Sequence, residues 1–472
     1  MKKHSIILAC CLAVLFLFPQ ASNYSGALSN NNAPLTDTSI DELFRHPPEQ
    51  AKPWVFWYWH VAAASAAGIT ADLEAMKEAG IGGAYMMFIK GADSIPLINP
   101  PAQQLTPHWW QLVVFAMQEA KRLHLQLGMH VSDGFALAGG PWIKPEMSMQ
   151  RVVSTKTYTS GKRTFTGLLP QPETKENYYK DIAVFAFPTP IKKSIADTAL
   201  VPVVTSSVAG AAPQFLIEKN SRQSFRSDSA CWIQYVYDKP FTCRSIIIRT
   251  GGNNYSSRRL QIMVSNDGKL FKAIERMQSP RHGWQDTDAD VTYAIKATTA
   301  RYFRFVYEKE GLEPGSEDLD AAKWKQVLKV NGILLSGEPV IHQYEGKSGA
   351  VWRVSERTTT AQAPDSVCVP LNRIIDLTGK MTPDGRLTWE VPAGNWTILR
   401  IGHTSTGHTN ATGGGGKGLE CDKFNPEAVR LQFDNWFGEA IRQAGPDATA
   451  AVLKMFHIDS WECGSQNWSP VF

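Results

Sequence analysis

The chain has 472 residues, 43% of them hydrophobic, which is enough for a large core and, as a soft prior, for two or three domains. Its net charge is +4, with no basic stripe or charge run, so nothing points to nucleic acid. Beyond residue 22 the cysteines are Cys231, Cys243, Cys368, Cys421 and Cys463, an odd set without C-x-x-C spacing, which excludes a disulfide framework and a structural zinc site. Cys231 and Cys243 are read either as a cross-strand pair or as buried thiols.

Residues 1–22 read as a secretory signal, with Lys2 and Lys3 ahead of an apolar run, Ile6 to Phe18, too short to span a membrane. Export to the periplasm or beyond follows, with no membrane span in the mature chain. Residues 23–45, rich in Asn, Ser and Thr, read as a linker. Trp54 to Trp59 is a buried strand ending at His60. Thr70 is placed as a helix cap with Asp72 in the first turn, Ile69, Leu73 and Met76 as the apolar stripe, and Gly80 as the stop. Ala84 to Ile89 is a second strand. Thr106 and Pro107 open a second helix, and Leu125 to Val131 is a third strand followed by Ser132 and Asp133. This alternation is that of a parallel α/β sheet, with residues 46–150 as its first three strands.

From 151 to 400 the pattern changes to short alternating runs between Gly, Pro, Asn and Asp, an all-β signature. Within it, Leu260 to Gly268 and Ala300 to Arg304 resemble a discoidin-type, galactose-binding-like sandwich over about residues 215–340, with Trp232, Val264 and Phe303 as candidate core. Asn425, Pro426 and Glu427 start a third helix with Val429, Phe433, Trp436, Phe437, Ala440 and Ile441 on its apolar face, and Gly445 ends it. Ala451 to Ile458 is the fourth strand. The fold class is therefore α/β: the first half of a (β/α)8 barrel, strands one to four, interrupted after strand three by an all-β insertion, with the barrel resuming over 401–472.

In a barrel the C-terminal strand ends meet on one rim. That rim collects Trp59, His60, Lys90, His130, Asp133, Asp459, Trp461 and Glu462. A carboxyl just past a strand and beside an aromatic suits a proton donor. The structural alternatives are core histidines for His60 and His130 and a turn for Asp133 before Gly134. The segment Gly413 to Gly418 leads to Glu420 and Asp422. These are placed as contacts for sugar hydroxyls or a cation, with a flexible linker as the alternative.

The segments Trp57 to His60, Gly68 to Met76, Gly80 to Gly83, Trp396 to Gly402, Gly418 to Lys423, Asp459 to Glu462 and Gln466 to Trp468 together resemble glycoside hydrolase family 106, the α-L-rhamnosidases. The resemblance spans about residues 45–472. It implies an exported enzyme that removes α-linked L-rhamnose from an oligo- or polysaccharide with inversion, assisted by calcium, with Glu462 as general acid; the rim and glycine-segment residues Trp59, His60, His130, Asp133, Glu420, Asp422, Asp459 and Trp461 are then read as lining the sugar site. Family members extend well past a position matching Phe472, so the chain is read as an N-terminal fragment without its catalytic base. Two other readings remain at this point: a carbohydrate-binding module with a vestigial barrel half, and a retaining barrel glycosidase.

Overall fold

The structure is a computed structural model. It describes residues 40–471 except 136, 191–200, 219–220, 252–253, 283–288, 310–326, 356–362, 364 and 366–367. The signal sequence and most of the expected linker therefore lie outside the described residues. The chain divides into two units, Met1–Pro53 and Trp54–Phe472. In the first, Ile40–Arg45 is a short helix where the end of a linker was expected. Asp41 and Glu42 in its first turn and Arg45 in its last complement the helix dipole. Among the described residues, no helix is long and apolar enough to cross a membrane.

In the second unit, β1 (Trp54–His60), β2 (Gly83–Ile89), β3 (Gln126–His130) and β4 (Leu453–His457) form a four-stranded sheet in that order, all neighbours parallel. The alternation along β1 buries Trp57 and Trp59 and leaves Phe56, Tyr58 and His60 exposed. The buried face packs against α1 (Ala66–Glu78) and α2 (Pro107–Leu123) in one core that includes Ile69, Leu73, Phe88, Trp109, Val113 and Trp436.

Helix starts were legible to different degrees. Thr106 caps α2 as expected, accepting from the Trp109 amide at 3.3 Å, with Pro107 in the first turn. The start of α1 is corrected: Ser65 is its cap, one turn before Thr70. Thr70 instead donates to Glu119 at 2.9 Å, and Asp72 accepts from the Trp57 indole at 2.9 Å. Both side chains thus tie α1 to its neighbours.

The third helical stretch is also corrected. It is α3 (Pro426–Phe433), a π turn (Asp434–Gly438), α4 (Glu439–Ala444) and α5 (Pro446–Val452). The buried line runs Ala428, Gln432, Trp436 and Ala440, in steps of four. A π turn is wider than an α turn, so it holds residues four apart in line. Val429 and Phe433, expected on the apolar face, are consequently exposed. Ala451 and Val452 belong to α5, so β4 starts at Leu453.

Between β3 and α3 most described elements are strands. Ile375–Asp376, Lys180–Pro188, Asn395–Ser405 and Gln150–Ser160 form one antiparallel sheet of four. A seven-stranded antiparallel sheet is built on the long strands Cys231–Thr250 and Val291–Tyr307. Their pairing shifts register between Val236 and Phe241 and again between Cys243 and Ser245, and such irregularities bend a sheet around its core. Phe303 is buried there and Val264 packs on the core, but Trp232 does not join it. In strict alternation Cys231, Ile233, Tyr235 and Tyr237 take the inner positions, and Trp232 faces outward under the Arg304 guanidinium, 4.7 Å from its ring. Cys231 and Cys243 are both buried free thiols, so the pairing alternative is set aside.

Candidate active site

The site lies where β3 and β4 end. The π turn fixes that end of the sheet. The Trp436 indole donates to the His130 carbonyl at 2.7 Å, and Gln432 donates to the Val131 carbonyl at 2.9 Å. His130 and His457 are register partners across the parallel pair, so both imidazoles stand at the same height. Their ring centroids are 5.5 Å apart, and His457 also packs edge-on against Phe56 at 5.3 Å and beside Tyr85 at 5.5 Å.

The chain then turns through Asp459, Ser460, Trp461 and Glu462. Asp459 Oδ2 lies 4.0 Å from His130 Nε2 and 3.7 Å from His457 Nε2. Ser460 Oγ donates to Glu462 at 2.7 Å, and Glu462 is half-buried. The Trp461 indole donates to the Gly464 carbonyl at 2.7 Å, which closes the turn. Lys423 Nζ sits 4.7 Å over the Trp461 ring and pairs with Glu420 at 2.8 Å. The aromatic beside Glu462 is thus held between a hydrogen bond and a cation.

His130 is fully buried. Its Nδ1 lies 2.7 Å from the Ser132 carbonyl and 3.1 Å from the Ser132 amide. The carbonyl is matched by a proton on Nδ1 and the amide by a lone pair there, so Nδ1 has a partner in either tautomer, whereas Nε2 has none. Burial pushes the His130 pKa down, which keeps the ring neutral.

Other expected site residues have different work. Trp59 is corrected: it is 4% exposed and packs on Phe88 and Trp57, because the β1 alternation points it to the helices. His60 is exposed at the end of β1. Asp133 is buried, and its Oδ2 accepts from the amides of Gly414 and Gly416 at 2.7 and 2.8 Å. Burial nevertheless raises its pKa to about 6, against the opposing pull of those amides and that of Gly134. Asp422 accepts from Gln466 at 2.5 Å, Ser469 at 2.6 Å and the Phe424 amide at 3.0 Å, which anchors the segment after Glu462. Glu420 is buried, accepting from the Ala138 amide at 2.6 Å besides Lys423. Both carboxylates are fully buried, and Glu420 Oε2 is left without a hydrogen-bond partner.

The glycine run is likewise no flexible linker. Gly415 donates to Gln104 at 3.1 Å, and Asn410 donates to the carbonyls of Asp133 and Gly416 at 3.1 and 3.2 Å. A Cβ on Gly418 would stand 2.0 Å from the Gly140 carbonyl oxygen, so only glycine fits. Sequence reasoning missed Asn410, for which there was no signal. It also left His457 unassigned, although a second histidine ending the strand next to that of His130 was a usable one.

Comparison with known proteins places the chain in a glycoside hydrolase family. The chain is 27% identical to a rhamnosidase from Novosphingobium sp. PP1Y, with TM-score 0.71 over 92% of this chain and 40% of that one. It is 26% identical to a Formosa agariphila protein named "Putative beta-glucuronidase", over 92% of this chain and 25% of that protein. The chain thus spans two-fifths or less of the length of these relatives. The family model of glycoside hydrolase 106, described as alpha-L-rhamnosidase, matches residues 45–472, and this chain belongs to that family.

Proposed function

We propose that this chain is the acid-bearing part of an exported enzyme that hydrolyses terminal α-L-rhamnose linkages in complex polysaccharides with inversion. The carrying observation is the placement of Glu462, half-buried on the turn after β4, hydrogen-bonded by Ser460 and three residues past Asp459. In this reading the parallel order β1–β4 represents the first four strands of a (β/α)8 barrel, which presents its chemistry at the C-terminal strand ends. The β-rich stretch over 151–400 rises from the loop after β3, beside the sugar cleft.

Glu462 in its acid form donates a proton to the glycosidic oxygen as the bond to the anomeric carbon breaks. A second carboxylate, about 6.5–9.5 Å away in inverting enzymes, takes a proton from the attacking water. At this end of the sheet Asp133 is held by the glycine run, Glu420 by Lys423, and Asp422 by Gln466 and Ser469, while Asp459 faces two imidazoles at 4.0 and 3.7 Å. Because family members extend well past a position matching Phe472, we assign the base to a residue outside these 472. The 472-residue chain alone is then inactive.

The test uses a longer protein, in which this chain is extended to the length of its relatives, on an aryl α-L-rhamnoside and an aryl β-D-glucuronide, since the named relatives differ in sugar. Turnover of the rhamnoside with β-L-rhamnose as the first product by NMR is expected. Turnover of the glucuronide alone would refute the substrate, and the α-anomer appearing first would refute inversion.

A further inference from the structure

We propose that His130, His457 and Asp459 form a binding site for one borderline divalent ion of the zinc or cobalt kind, and not for calcium. Among the described residues these three side chains bring one ligand atom each to within 4.8 Å of one another. Both carboxylate-to-imidazole separations, 4.0 and 3.7 Å, exceed by less than about 1 Å the roughly 3.4 Å between ligands of a tetrahedral zinc ion. His457 and Asp459 are half-buried, whereas His130 is fully buried.

Three further features favour an ion over chance proximity. His130 Nε2 is buried without a hydrogen-bond partner and belongs to a side chain with no exposure, so this desolvated ring nitrogen is unsatisfied. Its other nitrogen is held by the Ser132 carbonyl at 2.7 Å, the kind of outer contact that orients a metal-binding imidazole. The parallel register sets His457 directly beside His130.

The donor chemistry decides which ion. Two imidazole nitrogens and one carboxylate suit zinc or cobalt and leave a position for water or a ligand oxygen. Calcium, implied by the family resemblance, takes six to eight oxygens, and this cluster supplies a single carboxylate. These residues do not fit calcium. The proposal stands independently of the hydrolase reading, because ion binding is measured without substrate.

The chelator-stripped chain is titrated with Co2+ and followed by visible absorption and equilibrium dialysis. Saturation at one Co2+ per chain is expected, displaced by one equivalent of Zn2+ and not by millimolar Ca2+. His457→Ala and Asp459→Asn, each checked for folding by circular dichroism, should weaken binding by at least about 100-fold. Absence of saturable binding, displacement by Ca2+, or undiminished binding in both variants would overturn the proposal. Should either variant fail to fold, X-ray absorption of the zinc-loaded wild-type chain decides. Two imidazoles and oxygen in the coordination shell uphold the site, and any shell containing sulfur or a single imidazole refutes it.

Discussion

Asp133 and Gly416 are joined by a 2.8 Å hydrogen bond from the Gly416 amide to a buried carboxylate, with Gly414 donating to the same oxygen at 2.7 Å. A sequence gap of 283 residues is closed there, across the whole β-rich stretch, and the loop after β3 is fixed against the glycine-rich segment that precedes α3. The geometry explains why an aspartate and a glycine run belong together without invoking a ligand for either.

That bond has a pH signature. The folded-state pKa of Asp133 is raised to about 6 from 3.8, so the native state holds its proton more tightly than the unfolded chain. Stability from this group is full below about pH 4, falls as pH rises, and levels off above about pH 6. Asp133→Asn keeps an oxygen for both amides and removes the charge. Relative to wild type, the variant should gain on the order of 2–3 kcal/mol between pH 4 and pH 7, read from urea unfolding at each pH. A difference independent of pH would contradict the buried-carboxylate account.

The glycine run should be intolerant of any side chain. In Gly418→Ala the new methyl meets the Gly140 carbonyl oxygen at 2.0 Å, and backbone cannot yield cheaply. A loss of about 1–3 kcal/mol or more is expected from overpacking. Gly379→Ala, where nothing lies within 4 Å, is the control and should change the melting temperature little.

The sheet face opposite α1 and α2 is apolar and open. Phe56 is 50% and Tyr58 49% exposed, and Met455 is exposed on the edge strand β4. An exposed apolar face beside an unpaired strand edge favours association. The 472-residue chain should bind a hydrophobic dye and self-associate, and the double variant Phe56→Ser, Tyr58→Ser should reduce both. A monodisperse monomer without dye binding would show that this face is covered.

A base outside this chain carries a related prediction. The purified 472-residue chain should give no measurable turnover of an aryl α-L-rhamnoside. Turnover abolished by Asp459→Asn would instead identify Asp459 as the base.

The parallel sheet was legible because β1 and β2 are continuous apolar runs and α2 carries Thr106, Pro107 and a long apolar stripe, all local signals. What escaped were features set by tertiary contact. Ser65 rather than Thr70 caps α1, since Thr70 is drawn to Glu119 on α2. Trp59 and Trp232 point to the faces opposite those expected, because a run of aromatics does not reveal which parity faces the core. The position of Asp459, Trp461 and Glu462 just past β4 was legible, because they follow that strand directly in the chain. That Asp133, Glu420 and Asp422 are buried was not legible, because their partners, Gly414, Lys423 and Ser469, meet them only in the folded chain.

The most direct test concerns Glu462 in the longer protein. Glu462→Gln is compared with wild type on a rhamnoside with a poor leaving group and on one with an activated aryl leaving group. A proton donor contributes about 10²–10⁴ in kcat where the leaving oxygen must be protonated, and much less where it need not be. The account predicts that large loss on the poor leaving group and a small one on the activated substrate. A raised KM on both would assign Glu462 to binding. An equal, large fall in kcat on both would contradict its role as the general acid.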